Sequence, residues 1–187
     1  MTMQRFEVEK LKLPGLKLIH VPFYSDARGA FCQAFSSADW LASGLDVSFV
    51  QDNFSVSAAV GTLRGMHFQN PPSAQAKLIQ VLQGAILDVS IDIRRDSPSY
   101  GQHLAVRLDA GASQLFVPEG FAHGFMSLEP NSIVFYKVTK PYDPARESGL
   151  HWADPDLAIK WPYVPTPAQV SAKDGLLPRL KDLQTAF

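Results

Sequence analysis

The chain has 187 residues, 46% of them hydrophobic, and a formal net charge of −1 from 17 Lys and Arg against 18 Asp and Glu. That length can bury a core without cross-links, and a single cysteine, Cys32, leaves no disulfide framework within the chain and is expected to serve as a small buried hydrophobe. The charges are mixed rather than gathered into a basic stripe, which excludes a nucleic-acid backbone or an anionic membrane as the expected partner.

The N-terminal stretch MTMQRFEVEKLKLPG has no apolar signal region, and no run approaches the ~20 apolar residues of a membrane span, so a soluble cytoplasmic protein is expected. SADWLASG (37–44) offers a serine or aspartate cap and a closing glycine, which predicts one short helix. From there strand signals dominate. KLIQVLQ (77–83), LAVRL (104–108), QLFVP (114–118) and IVFYKVT (133–139) are short, β-branched or aromatic, and bounded by turn residues. AILDVSIDI (85–93) alternates, with Leu87, Val89, Ile91 and Ile93 on one face and Asp88, Ser90 and Asp92 on the other. Closely spaced strands with turns between them predict an all-β sandwich or barrel. The expected organisation is one domain over 1–187, with a core barrel over about 45–140 and a few short peripheral helices. The proline-rich tail 161–187 would pack on that barrel, Leu176, Leu177, Leu180 and Leu183 forming a small helix.

Four residues could carry chemistry. His67 follows LRG and precedes a strand, near the rim of a sheet, with the cations Arg64 and Lys77 close in sequence. Lys77 shares the register of Ile79 and Val81, so it faces either a wet interior with them or, with the register reversed, the solvent. Tyr136 lies on a face with Val134 and Val138 and is either core or, beside a wet pocket, a proton donor. Asp174 reads as a turn aspartate on composition alone. The spacing PxGxxH in VPEGFAHGF, which ends at His123, resembles the second motif of cupins, small antiparallel barrels with an internal cavity. Metal-binding cupins add an HxH; the corresponding HFQ (67–69) has no second histidine, and two histidines fall short of the three or four ligands a transition metal needs, so no metal is expected.

The ordered set DARGAF (26–31), QDNFSVS (51–57), GTLRGMHFQ (61–69), AQAKLIQVLQG (74–84), LDVSIDIRRDSPSYG (87–101), VPEGFAHGF (117–125), FYKVTKPYDP (135–144) and SAKD (171–174) resembles the dTDP-4-dehydrorhamnose 3,5-epimerase family, from about residue 12 to about 185. The resemblance implies a cupin jelly-roll barrel that epimerises a nucleotide-linked 4-keto-6-deoxyhexose without a cofactor. His67 would be the base, Tyr136 the proton donor, Asp174 the carboxylate paired with the base, and Lys77 the cation near the reacting ketone. Arg28, Gln33, Gln51, Asn53, Arg64, His123, Glu147 and Lys173 would bind the nucleotide sugar, most simply a dTDP-sugar, and Tyr142 would stack on the base. The family usually has glutamate where this chain has Gln33. Homodimers with N-terminal strands joined to the partner's sheet are also implied, as are sister activities at one carbon only and non-catalytic sugar-nucleotide binding.

Overall fold

The structure, a computed structural model, describes residues 6–187. Its strands are β1 (Glu7–Lys10), β2 (Lys17–His20), β3 (Phe23–Asp26), β4 (Gly29–Cys32), β5 (Gln51–Ser57), β6 (Leu63–Gln69) and β7 (Lys77–Gln83). They continue with β8 (Ala85–Asp92), β9 (His103–Asp109), β10 (Ser113–Val117), β11 (Phe121–Ser127), β12 (Ser132–Val138) and β13 (Glu147–Gly149). One helix, α1 (Ser37–Ala42), and three 3₁₀ turns at Pro167–Gln169, Asp174–Leu176 and Leu180–Asp182 complete the inventory among the described residues.

Two antiparallel sheets, in the orders β1-β2-β10-β7-β12-β5 and β13-β6-β11-β8-β9, face one another as a cupin-type jelly roll. Strand alternation decides what lies between them. Ile79, Val81, Leu115, Val117 and Val134 of the first sheet meet Ile86, Leu108, Phe121 and Phe125 of the second in one buried cluster. The sheets extend beyond the expected 45–140: β1 and β2 add to this chain's own β10, and β13 adds to β6.

Strand β8 alternates as read, yet neither of its faces meets solvent. Val89 and Ile91 point away from the barrel, into a cluster closed by Leu150, Leu157 and Leu183. The polar residues are the ones that enter the barrel with Ile86, and Asp88 and Asp92 are both 0% exposed. Asp92 caps one end, accepting from Arg94, Ser97 and Ser99; Asp88 belongs to the other end, described below.

On the outer face of the first sheet, Leu78 and Phe116 pack with Val21, Trp40 and Leu45. Trp40 arrives on α1, whose cap is Ser36, with its hydroxyl accepting from the Asp39 N–H at 3.3 Å. Cys32 is only half-buried against this cluster, and burial raises its thiol above the ordinary value. The expected C-terminal helix is instead two 3₁₀ turns separated by Leu177, Pro178 and Arg179. The proline forces Leu177 into an extended backbone (φ −63°, ψ 147°), so the leucines cannot share a helical face. Leu183 is buried, whereas Leu176 is 86% exposed. Among the described residues no helix is long and apolar enough to cross a membrane.

Candidate active site

The cavity at the open end of the barrel depends on an irregularity in β6. His67 lies opposite His123 on β11, and Arg64 lies opposite Phe125, so three steps on β6 match two on β11. This is a β-bulge, and Gly65 is its pivot, with φ +117°. A Cβ there would sit 2.6 Å from the Gly124 Cα and 2.8 Å from the His123 carbonyl, so only glycine allows the two strands to close. The consequence is functional. In a regular strand, side chains three residues apart point to opposite faces; the extra residue turns Arg64 and His67 into the same cavity.

That cavity holds about 520 Å³, and Arg64, His67, Lys77, His123, Tyr136 and Asp174 line it. An adjoining space of about 250 Å³ shares His67, Lys77 and Tyr136 and adds Gln51, Asn53, Tyr142 and Glu147. The imidazole and the phenol therefore border the same cavity. Lys77 faces inward with Ile79 and Val81, and its Nζ lies 3.4 Å from the His67 carbonyl. Tyr136 packs beside Val134 at the rung where β12 meets Ile79 of β7 and Asn53 of β5.

The tail supplies what the barrel lacks. Asp174 reaches over from its 3₁₀ turn, and its Oδ1 lies 2.7 Å from His67 Nε2. Its Oδ2 accepts from the Gly65 N–H at 3.2 Å, and its backbone N–H donates to Ser171 Oγ at 3.0 Å. The turn aspartate is thus a buried site residue. Burial works against its charge, but the His67 ring and the Gly65 N–H outweigh it and hold the carboxyl below its ordinary value. With Nε2 committed to Asp174, Nδ1 is the His67 nitrogen left for other chemistry.

Burial has the opposite effect on Lys77. It pushes the ammonium down to about 8, against the pull of Asp88 and Glu147, which leaves the protonated form dominant at pH 7. Burial raises Tyr136 above the ordinary phenol value, with the Arg64 charge opposing. At the rim, Glu147 accepts from the Tyr142 hydroxyl at 2.6 Å and from Lys173. Gln51 donates to Asn53 at 2.8 Å and accepts from the Tyr142 N–H at 3.1 Å. His123 Nε2 lies 2.7 Å from Asp88 Oδ2.

Two of the expected binding residues stand apart from this cavity. Arg28, at the tip of the β3–β4 hairpin, has an 89% exposed side chain paired with Asp26. Gln33 donates to Asp39 at 3.2 Å. Asp88 was not singled out from the sequence, although an aspartate alternating with apolar residues in LDVSID carried the signal. Ser171, which also lines the cavity, lay in the SAKD motif without being given a role, and Gln169 carried no signal. Among the described residues no group of three or more His, Cys, Asp or Glu is placed to hold a metal ion.

Known proteins share both the sequence and this architecture. The profile of the dTDP-4-dehydrorhamnose 3,5-epimerase family matches residues 10–182. The dTDP-4-dehydrorhamnose 3,5-epimerase of Sinorhizobium fredii is 42% identical over 180 residues, covering 96% of this chain and 92% of that protein. The crystal structure of the Bacillus anthracis enzyme of the same name, with TDP and PPi bound, superposes with a TM-score of 0.88 at 45% identity, over 93% of this chain and 99% of that one. The Legionella pneumophila dTDP-6-deoxy-D-glucose-3,5-epimerase, in complex with dTDP-4-keto-L-rhamnose, gives 0.90 at 38% identity, over 96% and 95% of the two chains. With the bulge, the dyad and the barrel in place, the chain belongs to the dTDP-4-dehydrorhamnose 3,5-epimerase family.

Proposed function

We propose that this protein is an isomerase that converts dTDP-4-dehydro-6-deoxy-D-glucose to dTDP-4-dehydro-L-rhamnose by inverting carbons 3 and 5. The observation that carries this reading is the His67–Asp174 pair, 2.7 Å apart, bordering the same cavity as the Tyr136 phenol and the Lys77 amine. Hydrogens flanking a ketone are acidic because their removal gives an enolate. His67 Nδ1 takes one such proton, and the C–H electron pair becomes the enolate double bond as charge moves to the ketone oxygen. Asp174 holds the opposite nitrogen and stabilises the imidazolium. Lys77 donates to the enolate oxygen, a contact typically worth about 3–4 kcal/mol in the transition state. Tyr136 returns a proton to the other face of the carbon, and exchange with water resets both side chains.

Arg64, His123, Gln51, Asn53, Glu147 and Lys173 take the nucleotide sugar in this reading. Arg64 spends only two contacts on the protein, an ordinary one to Val56 O at 3.0 Å and a long one to Ser57 Oγ at 3.4 Å, which leaves guanidinium donors for a diphosphate. Tyr142, exposed at the mouth, stacks on the base. Incubation with the substrate in deuterium oxide tests the reading, and deuterium is expected at both carbons. Label at one carbon alone would make the protein a single-site epimerase, and label at neither would defeat the assignment.

The active form in this reading is a homodimer. Phe31 on the hairpin is 67% exposed and Phe54 on edge strand β5 is 71% exposed, with Tyr24, Val56 and Leu82 also exposed around them. Apolar area of this kind on a water-facing sheet is suited to a second copy. The hairpin tip would then carry Arg28, with Gln33 near its base, toward the neighbouring cavity. Sedimentation equilibrium is expected to give twice the mass of the chain, and Phe54→Glu to give the single-chain mass. A single-chain mass for the unaltered protein would overturn the dimer.

A further inference from the structure

We propose that Asp88 is a positioning residue for this reaction, its buried carboxylate fixing His123 through Nε2 and placing a negative charge behind the wall of the cavity that Lys77 lines. The inference rests on the epimerase reading of the cavity.

Asp88 is 0% exposed on the inward face of β8, behind the cavity wall. Its Oδ2 meets His123 Nε2 at 2.7 Å, while its Oδ1 is buried with no hydrogen-bond partner among the described residues. The hydroxyl of Ser90, two residues along the same face, is equally unpartnered. A buried carboxylate with half its acceptor capacity idle is a costly way to orient a histidine. Asparagine would accept the same hydrogen bond at the same volume without burying a charge. The charge therefore needs its own explanation, and the cavity provides one. Facing Lys77 are His67 and Arg64 from β6, His123 from β11, Tyr136 from β12, Asp88 from β8, Glu147 from β13, and Lys173 and Asp174 from the tail. Of the two carboxylates that favour its charged form, Asp88 acts more strongly than Glu147. A sugar entering the cavity displaces water and deepens the burial that already lowers Lys77 to about 8, so a fixed negative charge behind the wall keeps the ammonium available when enolate charge appears.

The same hydrogen bond sets the second histidine. With Nε2 held by Asp88, His123 presents Nδ1 to the cavity, as His67 does with Nε2 held by Asp174. Two imidazoles on neighbouring strands are each braced from behind by a carboxylate. One brace serves the base; the other serves a sugar-binding ring and, through its charge, the cation.

Asp88→Asn separates charge from shape. In the active parent protein the variant is expected to lower kcat by about 10–100-fold, with KM and dTDP affinity nearly unchanged and the melting temperature equal or higher. The alkaline limb of the rate profile is expected to move to lower pH, because Lys77 loses its strongest anionic support and activity is lost as the ammonium deprotonates. An active parent with an Asp88→Asn variant of equal kcat and superimposable profile overturns the assignment, as does a kcat loss matched by a lowered melting temperature. A parent that exchanges no protons defeats the epimerase reading itself. Should the variant not fold, nitrogen-15 NMR of the histidine rings in the parent decides: a proton on His123 Nε2 supports the assignment, and a proton on Nδ1 alone overturns it.

Discussion

His67→Ala is expected to abolish proton exchange at both carbons, by about 10³-fold or more, because a positioned general base supplies 10²–10⁴ of rate and the other braced imidazole, His123, serves the sugar rather than the reacting carbons in this reading. Binding of dTDP is expected to survive, since Arg64, Gln51, Asn53 and Tyr142 approach the nucleotide from β5, β6 and the segment after β12 without passing through the imidazole. Isothermal titration with dTDP and deuterium exchange by NMR measure the two effects separately. Equal loss of both would make His67 a binding or folding residue. The variant should also leave a trace in stability. Asp174 keeps its bond from Gly65 but loses the His67 ring, a partly buried hydrogen bond to a carboxylate worth about 1–3 kcal/mol. Its carboxyl lies below the ordinary 3.8 in the folded protein, so its contribution is present above that value and fades as pH falls through the lowered one. The melting-temperature gap between parent and variant is therefore expected near neutral pH and should close in acid.

The barrel was legible in the sequence because strand periodicity and turn chemistry are local. Every strand read from β-branched runs is present, and Lys77 does share the face of Ile79 and Val81, although the sequence left open whether that face turned inward. What stayed hidden was long-range. Nothing local says that Asp174 crosses 107 residues of chain to reach His67, and only the family likeness proposed that pair. The bulge at Gly65 is similar. The glycine is visible in LRGMH, but that it brings Arg64 and His67 to one face depends on how closely β11 approaches at Gly124. The tail failed as a helix for a local reason that could have been weighed, the proline after Leu177. Asp88 was visible as the polar half of an alternating strand, but alternation does not say which half enters the barrel, and here the polar half does.

Tyr136→Phe is expected to divide the reaction at its midpoint. Burial keeps the phenol protonated and a weak acid, so it can serve only a strongly basic carbon held in contact with it. The substitution leaves the ring in its packing beside Val134 and leaves His67, Asp174 and Lys77 in place, so enolate formation should continue. In deuterium oxide the imidazolium exchanges its proton and can return a deuteron to the face from which the proton came. Label therefore accumulates in unreacted substrate, while inverted product falls by about 10²–10³-fold for want of a donor on the opposite face. A base acting alone cannot invert a centre; it can only exchange it. Loss of wash-out together with product would place Tyr136 in binding or in the first proton transfer. Product formed at the parental rate would remove it from the donor role and require another acid across the ring from His67.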